Sequence, residues 1–265
     1  MEYIAIDGTR NGTPPANAAP VNLQQSGLYE QLARIGKVVV NPKRIELLDL
    51  LCQGERSVEA LAVASSLKMT TASAHLQVMR QARLVEIRRD GARVCYRAAS
   101  EEVCRFVSAL GMLARARLAE VEQILQEIGT GARSTERVSR AELLDKVRSG
   151  EVVVLDVRPT VEYQAGHIPG AVSMPLEHLE AHLDDLDPDV EVVAYCRGPL
   201  CLLAPQAVDV LRERGYHARC LEDGMPEWRQ AGLDVAGGQG GVVLAGLPGS
   251  GDRPFEVSAC IDGKQ

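Results

Sequence analysis

The C-terminal half of the chain is organised around the stretch VEVVAYCRGPLCLLAPQAV, residues 190–208. Its first six residues form an apolar run typical of a buried strand, and its last seven have the apolar spacing of a helix. Cys196 is therefore predicted to lie on a tight loop between a strand and a helix. A helix start presents unpaired N–H groups and a partial positive charge, and Arg197 adds a full charge. The sequence thus predicts a reactive cysteine whose thiolate is favoured over the thiol.

Two other interpretations compete with a sulfur nucleophile at Cys196. The first is a buried structural cysteine, which the motifs around the loop disfavour. The second is a phosphatase-like or arsenate-reducing site, where an arginine six positions after the cysteine grips an oxyanion with two hydrogen bonds. That position is Leu202, and the six-residue loop is short for a tetrahedral oxyanion. The residues therefore favour sulfur chemistry.

Four motifs in this half resemble, in order, those of the rhodanese family of single-domain sulfurtransferases. They are VVLDVR at 153–158, EYQAGHIPGA at 162–171, the loop that begins with Cys196, and GMPEW at 224–228. The resemblance covers residues 139–235 and implies an α/β domain with a parallel sheet. It implies that Asp156 and Arg158 support the loop. It also implies that Cys196 carries a persulfide whose outer sulfur is surrounded by backbone N–H groups.

The resemblance identifies an active-site loop of six residues: Cys196, Arg197, Gly198, Pro199, Leu200 and Cys201. Gly198 lets the backbone approach the sulfur, and Pro199 stiffens the loop. Cys201 departs from the family, which often has Arg, Ser or Thr there. It either resolves a Cys196 persulfide as a disulfide or supplies a small side chain at the helix start. We favour the second because a disulfide needs a specific approach of two Cβ atoms.

The N-terminal half carries an unrelated pattern. Residues 42–51 and 57–62 have helical apolar spacing, with Ser57 as the N-cap of the second helix. Residues 69–80 place apolar side chains on one face and polar side chains elsewhere, as a recognition helix requires. Residues 84–97 alternate apolar and charged residues around an Asp-Gly turn, which predicts a hairpin wing.

This order of elements resembles the ArsR-type winged-helix repressors over residues 26–130. The resemblance implies a mainly α winged helix-turn-helix domain that binds a double-stranded DNA operator. Candidate contacts to base edges are Thr70, Thr71, Ser73, His75, Gln77 and Arg80. Candidate contacts to phosphates are Arg88, Arg89 and Arg93. Taken singly, His75 is more often a residue packed against the wing and Arg80 more often a solvated charge, but the ordered pattern favours DNA.

Cysteines suggest a second role for sulfur in the N-terminal half. Metal-sensing members of the family carry a Cys-x-Cys pair or an Asp/His set that this chain lacks, so we expect no metal and no other cofactor. Cys52 is predicted near the end of the first helix of this domain and Cys104 on a long helix over residues 100–128. They are candidates for a redox or polysulfide bridge, although buried cysteines usually act as small hydrophobic residues. We assign no functional role to Cys95 or Cys220.

The predicted long helix also favours dimerisation. Its apolar residues recur at steps of three and four: Val103, Phe106, Val107, Leu110, Leu113, Leu118, Val121, Leu125 and Ile128. This apolar surface is larger than the core of a single winged-helix domain requires. We therefore expect the helix to pair two protomers in a homodimer. Two recognition helices would then lie about one DNA turn apart.

The two halves of the chain differ in their balance of charged residues, and the composition indicates where the domains begin and end. Residues 26–130 hold 15 Lys and Arg against 12 Asp and Glu, whereas residues 131–235 hold 11 against 19. We predict a disordered tail over 1–25, a DNA-binding and dimerisation domain over 26–130, and a linker over 131–138. We further predict a sulfurtransferase domain over 139–235, followed by a Gly-rich disordered tail over 236–265. The low aromatic content of 3% disfavours a single-strand stacking platform.

The sequence thus predicts a regulator, more specifically a repressor, that responds to reactive sulfur through a rhodanese-like domain. Thiosulfate or polysulfide would supply the sulfur to Cys196. Seven cysteines, no apolar run of 18 residues and no signal peptide predict a cytoplasmic protein without a membrane partner. The alternative is a sulfurtransferase enzyme whose helix-turn-helix serves only dimerisation or protein contact. Exposed arginines on the wing favour DNA.

Overall fold

A computed structural model describes residues 23–90, 93–128, 137–198 and 200–237. The helices are α1 (Leu23–Val39), α2 (Pro42–Gln53), α3 (Val58–Ala64), α4 (Met69–Gln81), α5 (Glu101–Arg117), α6 (Ala119–Ile128), α7 (Arg140–Ser149), α8 (Thr160–Ala165), α9 (Leu203–Glu213) and α10 (Met225–Gln230). The strands are β1 (Arg56–Ser57), β2 (Val85–Asp90), β3 (Arg93–Ala98), β4 (Arg137–Val138), β5 (Val152–Asp156), β6 (Val172–Ser173), β7 (Glu191–Tyr195) and β8 (Ala218–Leu221). A 3₁₀ segment spans Leu176–Asp185.

The N-terminal domain is a winged helix-turn-helix, as predicted. Ser57 caps α3 by accepting a hydrogen bond from the backbone N–H of Ala60. The recognition helix α4 buries its apolar face, formed by Ala72, Leu76 and Met79. Strands β2 and β3 pair antiparallel as the wing, and β1 adds to the edge of β3. A core of leucines from α2, α3 and α4 holds the recognition helix against the wing.

Two predictions about the helices of this domain need correction. The predicted long helix over 100–128 is broken, because Leu118 between α5 and α6 has an extended backbone with φ −113° and ψ 104°. Arg115 and Glu122 form an ion pair at 3.0 Å across the break. Helix α1 begins at Leu23, inside the segment predicted as a tail, so the helix that carries Cys52 is the second of the domain.

The C-terminal domain is an α/β unit around a five-stranded sheet in the order β4-β8-β7-β5-β6. Its strands pair parallel, as predicted, and β5 aligns with β7 so that Asp156 lies opposite Tyr195. Alternate residues of the central strand β7 enter two different cores. Val192 and Ala194 pack with α9, whereas Val193 and Tyr195 pack with α10. Cys196 follows at the carboxyl end of this fully buried strand.

The two domains pack directly on each other, with α10 in contact with both α2 and α5. Residues 1–22, 129–136 and 238–265 lie outside the described residues, and with them most of the predicted tails and linker. Within the described residues, no helix is long and apolar enough to cross a membrane.

Candidate sulfur-transfer site and DNA-binding surface

Cys196 begins the loop at the end of β7, and its side chain is only 4% exposed. Its Sγ lies 3.7 Å from the carbonyl oxygen of Cys201 and 3.9 Å from that of Gly198. Burial raises the pKa of Cys196, and a hydrogen bond with the Cys201 thiol raises it further. Backbone N–H groups of Ala204 and Gly198 act in the opposite direction.

Cys201 is the other half of a hydrogen-bonded cysteine pair. The hydrogen bond from Cys196 lowers the pKa of Cys201 to about 7, against the effect of burial. Backbone N–H groups of Leu203 and Arg197 also favour its thiolate. The sequence predicted the low-pKa thiol at Cys196, but the loop places the lowered pKa at Cys201. The reason is that Cys196 is buried more deeply and donates a hydrogen bond to the sulfur of Cys201.

Arg197 does not face the cysteine sulfur as a free charge, because it is held by Glu162. Its Nη2 lies 2.6 Å from Glu162 Oε1, and Glu162 is 1% exposed. Arg56 binds the same carboxylate from the N-terminal domain at 2.5 Å. Glu162 therefore joins the active-site loop to β1, next to the start of α3. Glu162 belongs to the second sequence motif, but the sequence pattern does not indicate this contact.

Asp156 and Arg158 form a fully buried ion pair at 2.5 Å at the end of β5. The hydroxyl of Tyr195, at the end of β7, donates to Asp156 at 2.6 Å. Arg158 also donates to the carbonyl oxygen of Gly166 and, across the domain boundary, to Gln53 at 3.3 Å. The pair thus fastens the two strands that precede the loop and reaches the end of α2.

The GMPEW motif lies directly beneath the loop. A Cβ at Gly224 would come within 2.3 Å of the backbone of Arg197 and Gly198, so only glycine fits there. Met225 N–H donates to the carbonyl oxygen of Cys196 at 3.2 Å. Glu227 accepts a hydrogen bond from Gly224 N–H and another from Ser108 on α5. The motif therefore shapes the loop and also contacts the N-terminal domain.

The structure brings Cys52 and Cys104 together on α2 and α5. Both are buried, and a hydrogen bond to Cys104, followed by burial, raises the pKa of Cys52. Arg229 of the C-terminal domain donates to the carbonyl oxygen of Cys52 at 3.1 Å. Across the described ranges, no group of three or more His, Cys, Asp or Glu side chains could hold a metal ion.

The candidate DNA contacts lie on α4 and the wing. Thr70, Thr71, Gln77 and Arg80 are exposed, whereas Ser73 and His75 are half-buried. A cleft of about 570 Å³ between α4 and the wing is lined by polar residues of both elements, among them Ser73, Gln77, Arg80 and Arg89. Gln77 donates to the hydroxyl of Tyr96 at 3.3 Å, which orients it toward the wing.

The wing arginines are divided between two sides of the hairpin. Arg88 and Arg89 are neighbours on β2, so their side chains point in opposite directions. Arg89 lines the cleft beside α4, whereas Arg88 forms an ion pair with Glu55 at 2.6 Å. The side chain of Arg93 and the predicted loop residue Pro199 lie outside the described residues.

Two family models match the chain. One describes a rhodanese-like domain and matches residues 139–231, and the other describes bacterial regulatory proteins of the arsR family and matches residues 41–86. These matches fall on the two domains of the structure.

Individual proteins resemble the whole chain or one half of it. HTH-type transcriptional regulator Rv0324 of Mycobacterium tuberculosis is 46% identical over 212 residues, which are 80% of this chain and 93% of the relative. A sulfurtransferase of Allochromatium vinosum is 29% identical over 91 residues, which are 34% of this chain and 83% of that protein. A homodimeric winged helix-turn-helix domain, Mb0332 from Mycobacterium bovis, is 44% identical, covers 38% of this chain and 93% of its own, and gives a TM-score of 0.36. The chain belongs to the ArsR family of helix-turn-helix transcriptional regulators and carries a C-terminal rhodanese-like domain.

Proposed function

We propose that the protein is a transcriptional repressor that releases its operator when reactive sulfur is loaded on Cys196 and passed to Cys52 and Cys104. The observation that carries the proposal is the buried, hydrogen-bonded pair Cys52–Cys104 in the DNA-binding domain. Its two helices, α2 and α5, both pack against α10 of the rhodanese-like domain. A covalent change at Cys52 and Cys104 therefore alters the packing between the DNA-binding domain and the rhodanese-like domain.

The first step is sulfur loading. Cys196 gives its proton to the Cys201 thiolate, with which it shares a hydrogen bond. The resulting Cys196 thiolate attacks the outer sulfur of the donor. A new Sγ–S bond forms, the S–S bond of the donor breaks, and the electron pair leaves with the donor remnant, which is sulfite when the donor is thiosulfate. Backbone N–H groups at the start of α9 then face the persulfide.

The second step moves this sulfur to the DNA-binding domain. The Cys52 thiol attacks the outer sulfur of the persulfide, so that a new bond to the Sγ of Cys52 forms and the S–S bond to Cys196 breaks. Cys196 leaves with the electron pair and takes the Cys52 proton. Cys104 then attacks the Sγ of Cys52, so that a disulfide forms and hydrosulfide leaves. Two thiols are oxidised and one sulfane sulfur is reduced, and no other oxidant is needed. A covalent bond between α2 and α5 changes their packing and lowers operator affinity.

We further propose a homodimer that binds DNA through α4 and the wing. Large apolar side chains are exposed on α1, α5 and α6, including Tyr29 at 66%, Leu113 at 58% and Ile124 at 52% exposure. Pairing two protomers through these helices would remove this apolar surface from water. The cleft between α4 and the wing, with Arg80 and Arg89 in its walls, supplies polar and cationic groups for the duplex.

Operator binding before and after polysulfide treatment tests the proposal. The probe is a DNA duplex from the region upstream of the protein's own coding sequence. We expect affinity to fall after treatment in the wild type but not in Cys52→Ser, Cys104→Ser or Cys196→Ser. Cys95→Ser is the matched control and should still release. Equal release in all variants would contradict the proposal, and release retained by Cys196→Ser alone would remove the rhodanese-like domain from the pathway.

A sulfurtransferase whose helix-turn-helix serves only dimerisation is the competing function. It predicts no salt-dependent DNA binding, whereas phosphate contacts make affinity fall as salt rises. The same titration, repeated at several salt concentrations, distinguishes the two.

A further inference from the structure

A cavity of about 640 Å³ lies between the two domains, against the loop that begins with Cys196. Helices α2 and α5 form one wall, and the loop and the start of α10 form the other. Much of the lining is apolar and includes Ile45, Val107, Leu110, Leu200, Leu202 and Pro226. The volume lies in the range of sites for small organic molecules. It exceeds what a small inorganic anion requires.

The cavity borders the loop that begins with Cys196. Cys196 itself is almost completely buried. Its loop neighbours Arg197, Gly198, Leu200 and Cys201 line the cavity, so a donor that enters it meets the backbone and the paired thiol next to Cys196.

The charged groups around the cavity disfavour a dianion. Three carboxylates line it, those of Glu46, Asp49 and Glu227. Among the described lining residues Arg197 is the one cation, and Glu162 binds its guanidinium. Burial raises the pKa of Asp49 to about 6, partly offset by Arg197, so the carboxylate is mostly ionised at neutral pH. Lys43, outside the lining, is paired with Glu46 at 2.8 Å. A doubly charged donor would be repelled within apolar walls.

We infer that the cavity selects organic sulfane-sulfur donors that carry an apolar group and at most one negative charge, in preference to inorganic thiosulfate. The inference rests on the proposed function, because it names the class of donor that loads Cys196. With an aromatic thiosulfonate, the Cys196 thiolate attacks the terminal sulfur and the S–S bond breaks. The aryl sulfinate leaves with the electron pair, and no oxidant is consumed. The aryl group packs among the apolar side chains of α5 and the loop.

Benzenethiosulfonate and thiosulfate provide a matched comparison, since both give up one terminal sulfur and differ in charge and in the aromatic ring. The full-length protein is mixed with each donor, and the gain of one sulfur on Cys196 is followed by mass spectrometry. Each rate constant is divided by that of the same donor with free cysteine, which removes intrinsic reactivity. We expect the normalised ratio to favour benzenethiosulfonate at least about tenfold. Methanethiosulfonate, with the same charge and no ring, should fall between them.

Two variants locate the selectivity in the cavity. Ala114 of α5 lines the cavity, so Ala114→Leu adds apolar volume to its wall and should slow benzenethiosulfonate about fivefold, with less effect on methanethiosulfonate. Asp49→Asn removes a carboxylate and should speed thiosulfate about fivefold. Asp145→Asn, an exposed carboxylate on α7 outside the cavity, should leave all rates unchanged.

The outcomes separate this inference from the proposed function. Normalised rates that are equal, or that favour thiosulfate, overturn the donor class and leave sulfur loading on Cys196 intact. Unchanged selectivity in both cavity variants also overturns the inference. Absence of sulfur transfer from every donor overturns the proposed function as well.

Discussion

Cys196 and Cys201 lie in a loop at the end of a parallel strand, whereas Cys52 and Cys104 lie on two packed helices. Both pairs are hydrogen bonded, but their environments differ. The pKa of Cys201 is lowered to about 7 by its partner and by loop N–H groups, while that of Cys52 is raised by its partner and by burial. At neutral pH the loop pair therefore supplies a thiolate, whereas Cys52 remains a thiol. We therefore expect exogenous sulfur to react first in the loop.

The two pairs are connected through buried polar contacts at the domain boundary. Glu162 bridges Arg197 of the loop and Arg56 of the DNA-binding domain. Arg229 binds the carbonyl oxygen of Cys52 at the end of α2. The domain boundary is thus built of ion pairs and directed hydrogen bonds, which tie the position of the loop to that of α2.

The largest expected effect is on sulfur loading. Cys196→Ser should slow the gain of one sulfur from a sulfane donor by at least about 100-fold, because the nucleophile is removed. Cys52→Ser should leave this first step within about twofold. Intact-mass time courses measure both. An equal loss of loading rate in the two variants would contradict the claim that sulfur reacts first at the loop pair.

The second-largest effect concerns the stability provided by the ion pairs at the domain boundary. Glu162→Gln leaves the buried Arg56 and the half-buried Arg197 without their carboxylate and should lower the free energy of unfolding by about 3 kcal/mol. Glu180→Gln is the matched control, since its ion pair with Arg214 is largely exposed and its loss should cost less than about 1 kcal/mol. Urea titrations give both values. Equal costs would show that the boundary contributes little to stability.

A smaller effect is expected in the pH dependence of loading. In the wild type the loop pair loses its first proton near pH 7, the value to which the pKa of Cys201 is lowered. Cys201→Ala leaves only Cys196, whose pKa is raised by burial, so the half-maximal rate should move upward by at least about one pH unit. Rate constants measured between pH 5 and pH 10 test this. An unchanged or lower midpoint would mean that Cys201 does not accept the proton.

The smallest effect concerns the proposed DNA-binding surface of α4 and the wing. Arg89→Ala should weaken operator binding about fivefold and lower the salt slope by about one. Arg88→Ala should change affinity less than about twofold, because Glu55 already balances its charge. Fluorescence titrations at several salt concentrations measure both. Larger losses from Arg88→Ala would place DNA on the other side of the wing.

The sequence predicts the parts of the fold whose signals are local. The apolar spacing of α4, the alternating wing and the apolar run of β7 each follow from the periodicity of consecutive residues. The family motifs likewise located the loop and the glycine beneath it. Each of these elements carries its information within one short segment.

The parts that sequence analysis missed depend on distant residues. Glu162 binds Arg56, 106 residues away, and Arg197, 35 residues away, and neither contact leaves a periodic signal. The thiolate predicted at Cys196 follows from the helix start and from Arg197, whereas the burial that raises the pKa of Cys196 is set by packing. The break at Leu118 interrupts a continuous apolar pattern, and only the structure reveals it.

The order in which cysteines react tests the central claim most directly. The protein is mixed with one equivalent of a sulfane-sulfur donor and quenched at intervals, and peptides are assigned by mass spectrometry. We expect the extra sulfur on the peptide with Cys196 first and the crosslinked peptides of Cys52 and Cys104 later, with no crosslink in Cys196→Ser over the same period. A crosslink that forms first, or equally fast in Cys196→Ser, would contradict delivery of sulfur through the loop.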